Sequence, residues 1–452
     1  HSCVMPDIDQ KNGIDMANIA SINGQDVASG GAYDPVAGTG TYTETVPTSG
    51  LIQMGGAYRE VYNETDGKSG GNDDVTGFPL GKDIVRNYSS DIDGKHARAE
   101  TPFSGTVSKI AAGNTSIYIL DTTGKLWICA NATSTWGAGG TPTARSFTQL
   151  TGVGDSDTGW TDISAGSAHT LAINSGKLYA IGANTYGKFG NGTTTASYNS
   201  WIQIGTDTDW VSVACGENHS AAIKGTSNVL YTCGQNTDGR TGQNTQSGNT
   251  TTWTAVDATN LVGATNNNFS FVHANYHHTT AIQSGRAFGC GMCNSNEQLG
   301  QNLTVDQQVM IQTGSVGGTL QTNWTKFYGN NYSSHLINSS GELYHQGDGQ
   351  YYLSGDGTQN DHKDGDAVKT STWTDVEDIY LKNSAYTVSS IVIKRSGKLY
   401  YVGYNREGNI PPSITSPYVS SPTLLIDAQI NGNAEYIRPD SNSSQSLIAQ
   451  YQ

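Results

Sequence analysis

The sequence predicts an all-β fold: a seven-bladed β-propeller closed by its own two ends, with an extended N-terminal arm. Three observations predict it. A unit of three short strands joined by tight turns recurs along most of the chain. Its strands do not alternate cleanly between apolar and polar residues, as expected where both sheet faces are covered by neighbours. The last copy stops one strand short, and a segment near the start supplies a matching strand.

The reference copy is WTDISAGSAHTLAINSGKLYAIGANTYGKFGNG, from Trp160 to Gly192. Trp160 to Ile163 reads as the first strand, Thr170 to Ile173 as the second, and Lys177 to Ile181 as the third. Asn174-Ser175-Gly176 supplies tight-turn chemistry, with glycine where a positive φ is needed. Further copies run from Val107, Trp210, Phe271, Trp324 and Trp373. The period is roughly 50 to 60 residues, in the range of blade repeats. One unit cannot bury its own faces, so copies must stack, and a ring limits exposed edges. The final copy, AEYIRPDSNSSQSLIAQ, lacks its Gly-x-Leu-Tyr strand. Ser49-Gly50-Leu51-Ile52-Gln53-Met54-Gly55 matches SGKLYYVG with one residue deleted, so Leu51–Met54 is expected beside the C-terminal strands. Loss of residues 1–60 is then expected to weaken the whole ring.

The consensus W-x-x-[IV]-x-x-G-x-x-H-[ST]-x-A-I…G-x-L-Y-x-x-G-x-N-x-x-G resembles the regulator of chromosome condensation repeat. The resemblance covers residues 105–452 and the 49–55 segment. It implies the propeller fold, and by itself it implies a guanine-nucleotide exchange factor or chromatin adaptor. This propeller hosts many unrelated roles, so fold does not fix function.

Before the ring, residues 1–48 read as an arm and linker. Ile8 to Ala17 and Ile19 to Ala28 each set Asn-Gly in a sparse apolar frame, which favours a tight turn between extended pieces. Such units resemble those at the start of structural proteins in tailed-phage virions. An anchoring arm and an unstructured leader both fit, and Ala28 to Thr48 reads as a Gly/Thr-rich linker. The propeller is assigned to 49–452, with 57–103 as an inserted polar loop region that either contacts partners or is merely solvated.

Charge narrows the partners. Of 452 residues, 24 are Lys or Arg and 39 Asp or Glu, a net charge of −15. That argues against a nucleic-acid binder, which normally carries a basic patch. No segment is long and apolar enough to span a membrane, and no secretory leader is evident.

The repeat also disposes of most catalytic candidates. His169, His219 and His278 share a column that Ser116, Ser333, Ser443 and Ser389 fill in other copies, so they are expected to brace a tight turn through backbone hydrogen bonds. Cys129, Cys233 and Cys290 share a column with Ile181, Gln346, Val402 and Met54, and Cys215 takes the place of Ala165. They read as small buried hydrophobes. Cys290-Gly-Met-Cys293 lacks the second pair of a zinc site. The carboxylates at Asp361, Asp364 and Asp366 and at Asp155 and Asp157 lack calcium-loop spacing, so solvated acidic turns are expected. No metal and no cofactor are expected, and no nucleophile or phosphate-loop motif is present.

The loops after each Gly-x-Asn are expected to gather on one face, around the channel or its rim. They carry Trp136, Tyr186, Tyr351, Tyr352, Tyr404 and Arg406. Aromatic platforms beside Asn and Asp suit sugar faces and protein hot spots, though the same rings also suit packing between blades. The expected function is therefore non-enzymatic: a virion structural or attachment protein, made in a host cytoplasm, tethered to other virion proteins through residues 1–48, with a host-surface glycan or receptor as ligand. An exchange factor or chromatin adaptor, and a secreted carbohydrate-binding propeller, are the alternatives.

Overall fold

The fold is described from a computed structural model. It describes residues 107–112, 116–130, 147–194, 197–256, 268–293, 297–300, 303–330, 332–362, 365–383, 388–396, 398–404 and 418–424, together with strands at Ser2–Pro6, Ser21–Ile22, Gln25–Asp26, Thr39–Thr43, Ile84–Ser90, His96–Ala97, Ala434–Pro439 and Leu447–Tyr451. The chain divides into two units, His1–Gly81 and Lys82–Gln452.

In the first unit, Ser2–Pro6 pairs antiparallel with Thr39–Thr43. Part of the expected linker is therefore a strand. Ser21–Ile22 pairs with Gln25–Asp26, Ile22 opposite Gln25. These two short strands flank the Asn23-Gly24 dipeptide of the second tandem unit. Residues 8–17, the first tandem unit, lie outside the described residues.

The second unit is an all-β propeller; its described residues hold no α-helix, only short 3-10 turns. Six blades, not seven, are built from four strands consecutive in sequence. Blade 1 is Val107–Ala112, Ser116–Asp121, Leu126–Ala130 and Thr148–Gln149; blade 2 is Trp160–Ala165, His169–Asn174, Lys177–Ala183 and Ser197–Ile204. Blade 3 is Trp210–Cys215, His219–Lys224, Val229–Gln235 and Asn249–Ala255; blade 4 is Phe269–Ala274, His278–Gln283, Arg286–Gly291 and Gln307–Thr313. Blade 5 is Trp324–Gly329, Ser333–Asn338, Leu343–Gly347 and Val368–Lys369; blade 6 is Val376–Asn383, Val388–Arg395, Lys398–Tyr404 and Tyr418–Leu424. A further four-stranded sheet joins the chain ends, in the order Ala434–Pro439, Leu447–Tyr451, Ile84–Ser90, His96–Ala97.

This terminal sheet corrects one expectation. The strand beside Leu447–Tyr451 is Ile84–Ser90, with Tyr451 opposite Ile84 and Leu447 opposite Tyr88. Leu51–Met54, expected there, lies outside the described residues. The 57–103 segment is accordingly not a plain insertion, because it contributes two sheet strands. Ile84–Ser90 pairs with all five residues of Leu447–Tyr451, so the backbone along that edge of the strand finds partners there. The first strand of the terminal sheet packs against blade 6 on one side and the first strand of blade 1 on the other.

Local sequence explains the blades. Asn174 pairs with Lys177 across a two-residue turn, Ser175 at φ 50° and Gly176 at φ 77°. That is the doubly left-handed geometry a tight hairpin requires. A Cβ at Gly176 would lie 2.0 Å from the Thr208 carbonyl oxygen, so the connection into blade 3 demands glycine. Each first strand bulges at its second residue, between Trp160 and Asp162 in blade 2 and between Trp210 and Ser212 in blade 3, and the terminal sheet bulges alike between Ala434 and Tyr436. The Trp of the consensus stacks edge-on against the Tyr of Gly-x-Leu-Tyr: Trp160 on Tyr179 at 5.6 Å, Trp210 on Tyr231 at 5.9 Å, Trp324 on Tyr344 at 5.1 Å. Such pairs contribute about 0.5–1.5 kcal/mol beyond area burial. In blade 6 the strand starts three residues later, at Val376, yet Trp373 still reaches Tyr400 at 4.8 Å.

The core is distributed between blades. Tyr118, Leu120, Trp160 and Ile163 fill the gap between blades 1 and 2; Leu171, Ile173, Trp210 and Val213 fill the next. Every residue of His169–Asn174 is buried, which accounts for the missing alternation. Cys215, Cys233, Cys290 and Cys293 are buried free thiols. Burial pushes Cys290 up to about 12 and Cys293 up to about 11, so both stay protonated.

Candidate binding face

In an antiparallel four-stranded blade, the turn between strands one and two and the loop between strands three and four fall on the same face. The contacts bear this out among the described residues, because the three-four loops of blades 2, 3, 4 and 5 reach the following blade. The asparagine of Gly-x-Asn shapes these loops. Asn184 is fully buried; its Oδ1 accepts from the Phe189 N–H at 2.8 Å, and its Nδ2 donates to Asn191 Oδ1 and Thr193 O, both at 3.0 Å. Asn236 repeats the arrangement with the Thr241 N–H at 3.1 Å and Thr245 O at 2.9 Å. One amide offers both donor and acceptor, so it closes a loop from both ends.

Two buried cations then tie each loop to the next blade. Lys188 Nζ donates to Glu217 O at 3.2 Å and to Asn218 Oδ1 at 3.4 Å, in the first turn of blade 3. Burial pulls its ammonium down to about 8, with Glu217 pulling the other way. Arg240 Nη1 donates to Tyr276 O at 3.0 Å in blade 4, and Nη2 meets Asp238 and His277 Nδ1. These two residues escaped the sequence reading. Both follow the loop glycine, and blade 4 holds Gln298 at that position, so a recurring donor was the available signal.

The histidine column is scaffold of a different kind from the one expected. The Ser220 hydroxyl donates to Lys188 O at 2.7 Å, so His169 Nε2–H donates to that hydroxyl at 2.8 Å. Likewise Thr279 donates to Arg240 O at 2.7 Å and receives His219 Nε2–H at 3.0 Å. The rings therefore bond a neighbouring blade's hydroxyl, not their own turn. Burial holds His169 and His219 well below the usual imidazole range, with the cations Lys188 and Arg240 adding to the effect, and burial takes His278 down to about 3. Neither ring nitrogen of His278 makes a hydrogen bond of normal geometry. In blade 6 the residue opposite the strand-three glycine is Ser390, paired with Gly403, and not Ser389. Residue 443 lies outside the described residues.

Of the expected ligand-facing residues, Tyr186 is 40% exposed with φ 71°, in the 3-10 turn Thr185–Gly187 that rests on the third and fourth strands of blade 3. Tyr352 has φ 63° and is half-buried; its ring lies 6.2 Å from Tyr418, on the fourth strand of blade 6 and 42% exposed. These tyrosines sit over outer strands, so they belong to the rim and not the channel. They also hang from blades 2 and 5, which are not adjacent, so they form separate spots. Tyr351 lies in the 3-10 turn Gln350–Tyr352, and Tyr404 ends the third strand of blade 6, opposite Tyr418. The side chains of Tyr351 and Tyr404, and all of Trp136 and Arg406, lie outside the described residues. Tyr418 was missed, because only pairing across the sheet brings it to Tyr352.

The carboxylate clusters brace turns. Asp157 accepts from the Gly152 N–H at 2.9 Å and Asp155 pairs with Lys177 at 2.7 Å. Asp361 accepts from Gly349 N–H at 3.0 Å, and Asp366 from Gly318 N–H at 2.7 Å. Among the described residues no group of three or more His, Cys, Asp or Glu could hold a metal ion, and no helix is long and apolar enough to cross a membrane.

The fold is a repeat β-propeller, and part of it is similar to the regulator of chromosome condensation repeat. The family model for that repeat matches residues 175–223, and a second model of the repeat matches 210–240. Human WBSCR16 superposes with a TM-score of 0.64 at 16% identity, over 82% of this chain and 99% of that one. Prp20p from Saccharomyces cerevisiae superposes at 0.62 with 11% identity, over 82% and 91%. Yeast RCC1 (Prp20) in a structure with Kap60 gives 0.62 at 10% identity, over 82% and 89%. At these identities the likeness is one of fold.

Proposed function

We propose that this chain is a non-enzymatic binding protein: a propeller ring, completed as a seventh blade by the terminal sheet, that presents its three-four loop face to a ligand. The observation that carries the reading is the loop architecture. Tyr186 and the Tyr352–Tyr418 pair are displayed at blade boundaries on loops pinned by buried Asn184, Lys188 and their counterparts. Rigid presentation of aromatic rings reduces the ordering cost of binding. The ligand class is a host-surface glycan or protein receptor. The setting is a tailed-phage particle, with residues 1–48 as the tether to other virion proteins and with synthesis in the host cytoplasm. The tandem Asn-Gly units and the low charge density of the chain support that setting. No nucleic acid and no membrane insertion are part of the reading.

Prp20p, one of the similar structures, is described with binding properties to Gsp1p and histones. An exchange-factor reading of this chain rests on the shared fold alone, and the net charge of −15 weighs against it. Cosedimentation tests the proposal. The full chain should sediment with virions and the chain lacking 1–48 should not, while Tyr186→Ala and Tyr418→Ala should each weaken adsorption to host cells. Accelerated nucleotide release from a small GTPase, with no particle association, would overturn it.

A further inference from the structure

Blade 5 departs from blades 2, 3 and 4 at two buried positions. Where the second strands of blades 2, 3 and 4 hold Leu171, Ala221 and Thr280, blade 5 holds His335; where their third strands hold Ala180, Thr232 and Gly289, it holds His345. Both histidines are fully buried. Their rings meet edge to face at 4.9 Å, and His345 meets His362 in the same way at 5.4 Å. His335 Nε2 donates to Leu353 O at 3.0 Å, fastening the chain just after the 3-10 turn that carries Tyr352. His362 and Gly347 exchange backbone hydrogen bonds, both at 2.8 Å, and His362 Nε2 reaches Asp356 Oδ2 at 3.2 Å. The stack therefore joins the sheet to the body of the loop 348–362 at Leu353 and to its far end at His362.

The arrangement is costly for stability alone. Neither ring nitrogen of His345 makes a hydrogen bond of normal geometry, and an unsatisfied buried polar group costs about 1–3 kcal/mol. Blades 2, 3 and 4 fill the same site with Ala, Thr and Gly, and blade 6 fills it with Tyr401. We propose that the His335–His345–His362 stack is an acid-operated latch that holds loop 348–362 on blade 5 at neutral pH and releases it, with Tyr352, on acidification.

The sign follows from linkage. In the closed state burial takes His335 down to about 4 and His345 well below the usual range. Opening returns the rings to water and to an ordinary imidazole affinity, so the open state binds more protons below about pH 6.5. The charges that act on His345 come from His335 and His362, which oppose its protonation, while the Asp348 backbone favours it. Asp356 stays ionised beside His362: burial raises its carboxyl, but bonds from Ser354 and Thr358 more than offset that. Asp361 accepts from Gly349. Among the described residues on adjoining elements, Lys369 pairs with Glu342 and Lys326 with Asp378, the Asp348 carboxylate accepts from the Gln350 N–H, and Asp366 accepts from Ser315 and Gly318.

Hydrogen exchange of the full chain, read by mass spectrometry and corrected for intrinsic rates, tests the latch without any ligand, so its failure is separable from failure of the binding reading. Between about pH 7.5 and pH 5, protection of 348–362 should fall by about tenfold or more, with blades 2 and 3 falling less. His345→Thr, the residue blade 3 carries there, should abolish the excess loss. Should that variant fail to fold, His335→Leu, the residue blade 2 carries at that site, should reduce the loss. Equal loss in all blades, or an unchanged loss in the folded variant, overturns the proposal.

Discussion

His219 shows why a residue type that suggests catalysis is here a fastener. Its Nε2 proton goes to Thr279 of the next blade at 3.0 Å, and the hydroxyl passes its own to Arg240 O at 2.7 Å. His219→Ala should therefore lower unfolding free energy by about 2 kcal/mol, since it leaves a cavity and removes a buried bond. A urea titration checks this, and an unchanged midpoint would show that the relay carries no stability. The alternation of His and Ser in this column was enough to read scaffold from sequence. The bonding partner was not, because the hydroxyls lie 51 and 60 positions away and are reached only when blades stack. Lys188 and Arg240 were illegible for the same reason. A cation after a loop glycine looks solvent-facing until the next blade covers it.

Blades and loops were unequally legible. Tight turns such as Ser175-Gly176 and the Trp–Tyr pairing depend on residues inside one repeat, so periodicity revealed them. The three-four loops were legible as a shared face but not in their radial position. Tyr186 and Tyr352 prove to lie over outer strands because the loops lean onto the next blade. The loop of blade 2 depends on Gly187, at φ 77°, where a Cβ would lie 2.8 Å from Thr251 Cα. Gly187→Ala should cost about 1–3 kcal/mol through strain and clash and should loosen Tyr186. Limited proteolysis is expected to cut between residues 184 and 192 faster in the variant than in the parent. Equal cleavage would mean that the loop tolerates the displacement.

The molecule as a whole should be acid-labile in a defined window. His169, His219, His278, His335 and His345 are buried and held neutral by desolvation first of all. Their folded-state affinities lie below the unfolded value, so stability is fully present above about pH 6.5 and is lost as pH falls toward about 4. The slope approaches about 1.4 kcal/mol per pH unit for each ring that stays neutral. Denaturant midpoints between pH 7 and pH 4 check it; a flat profile would mean the rings are hydrated in solution. Above this stands ring closure. The sequence showed that the two chain ends must meet, since the last repeat is incomplete. Repeat similarity pointed to 49–55, whereas the structure pairs Ile84–Ser90 with Leu447–Tyr451. The most direct test is thermal unfolding of two truncated chains. A chain lacking residues 1–81 should keep the parent's propeller melting transition. A chain lacking 1–103 should lose its cooperativity or melt far lower, because Leu447–Tyr451 is left without its neighbour. Loss of the transition on removing 1–81 alone, or its survival without 1–103, would contradict the account.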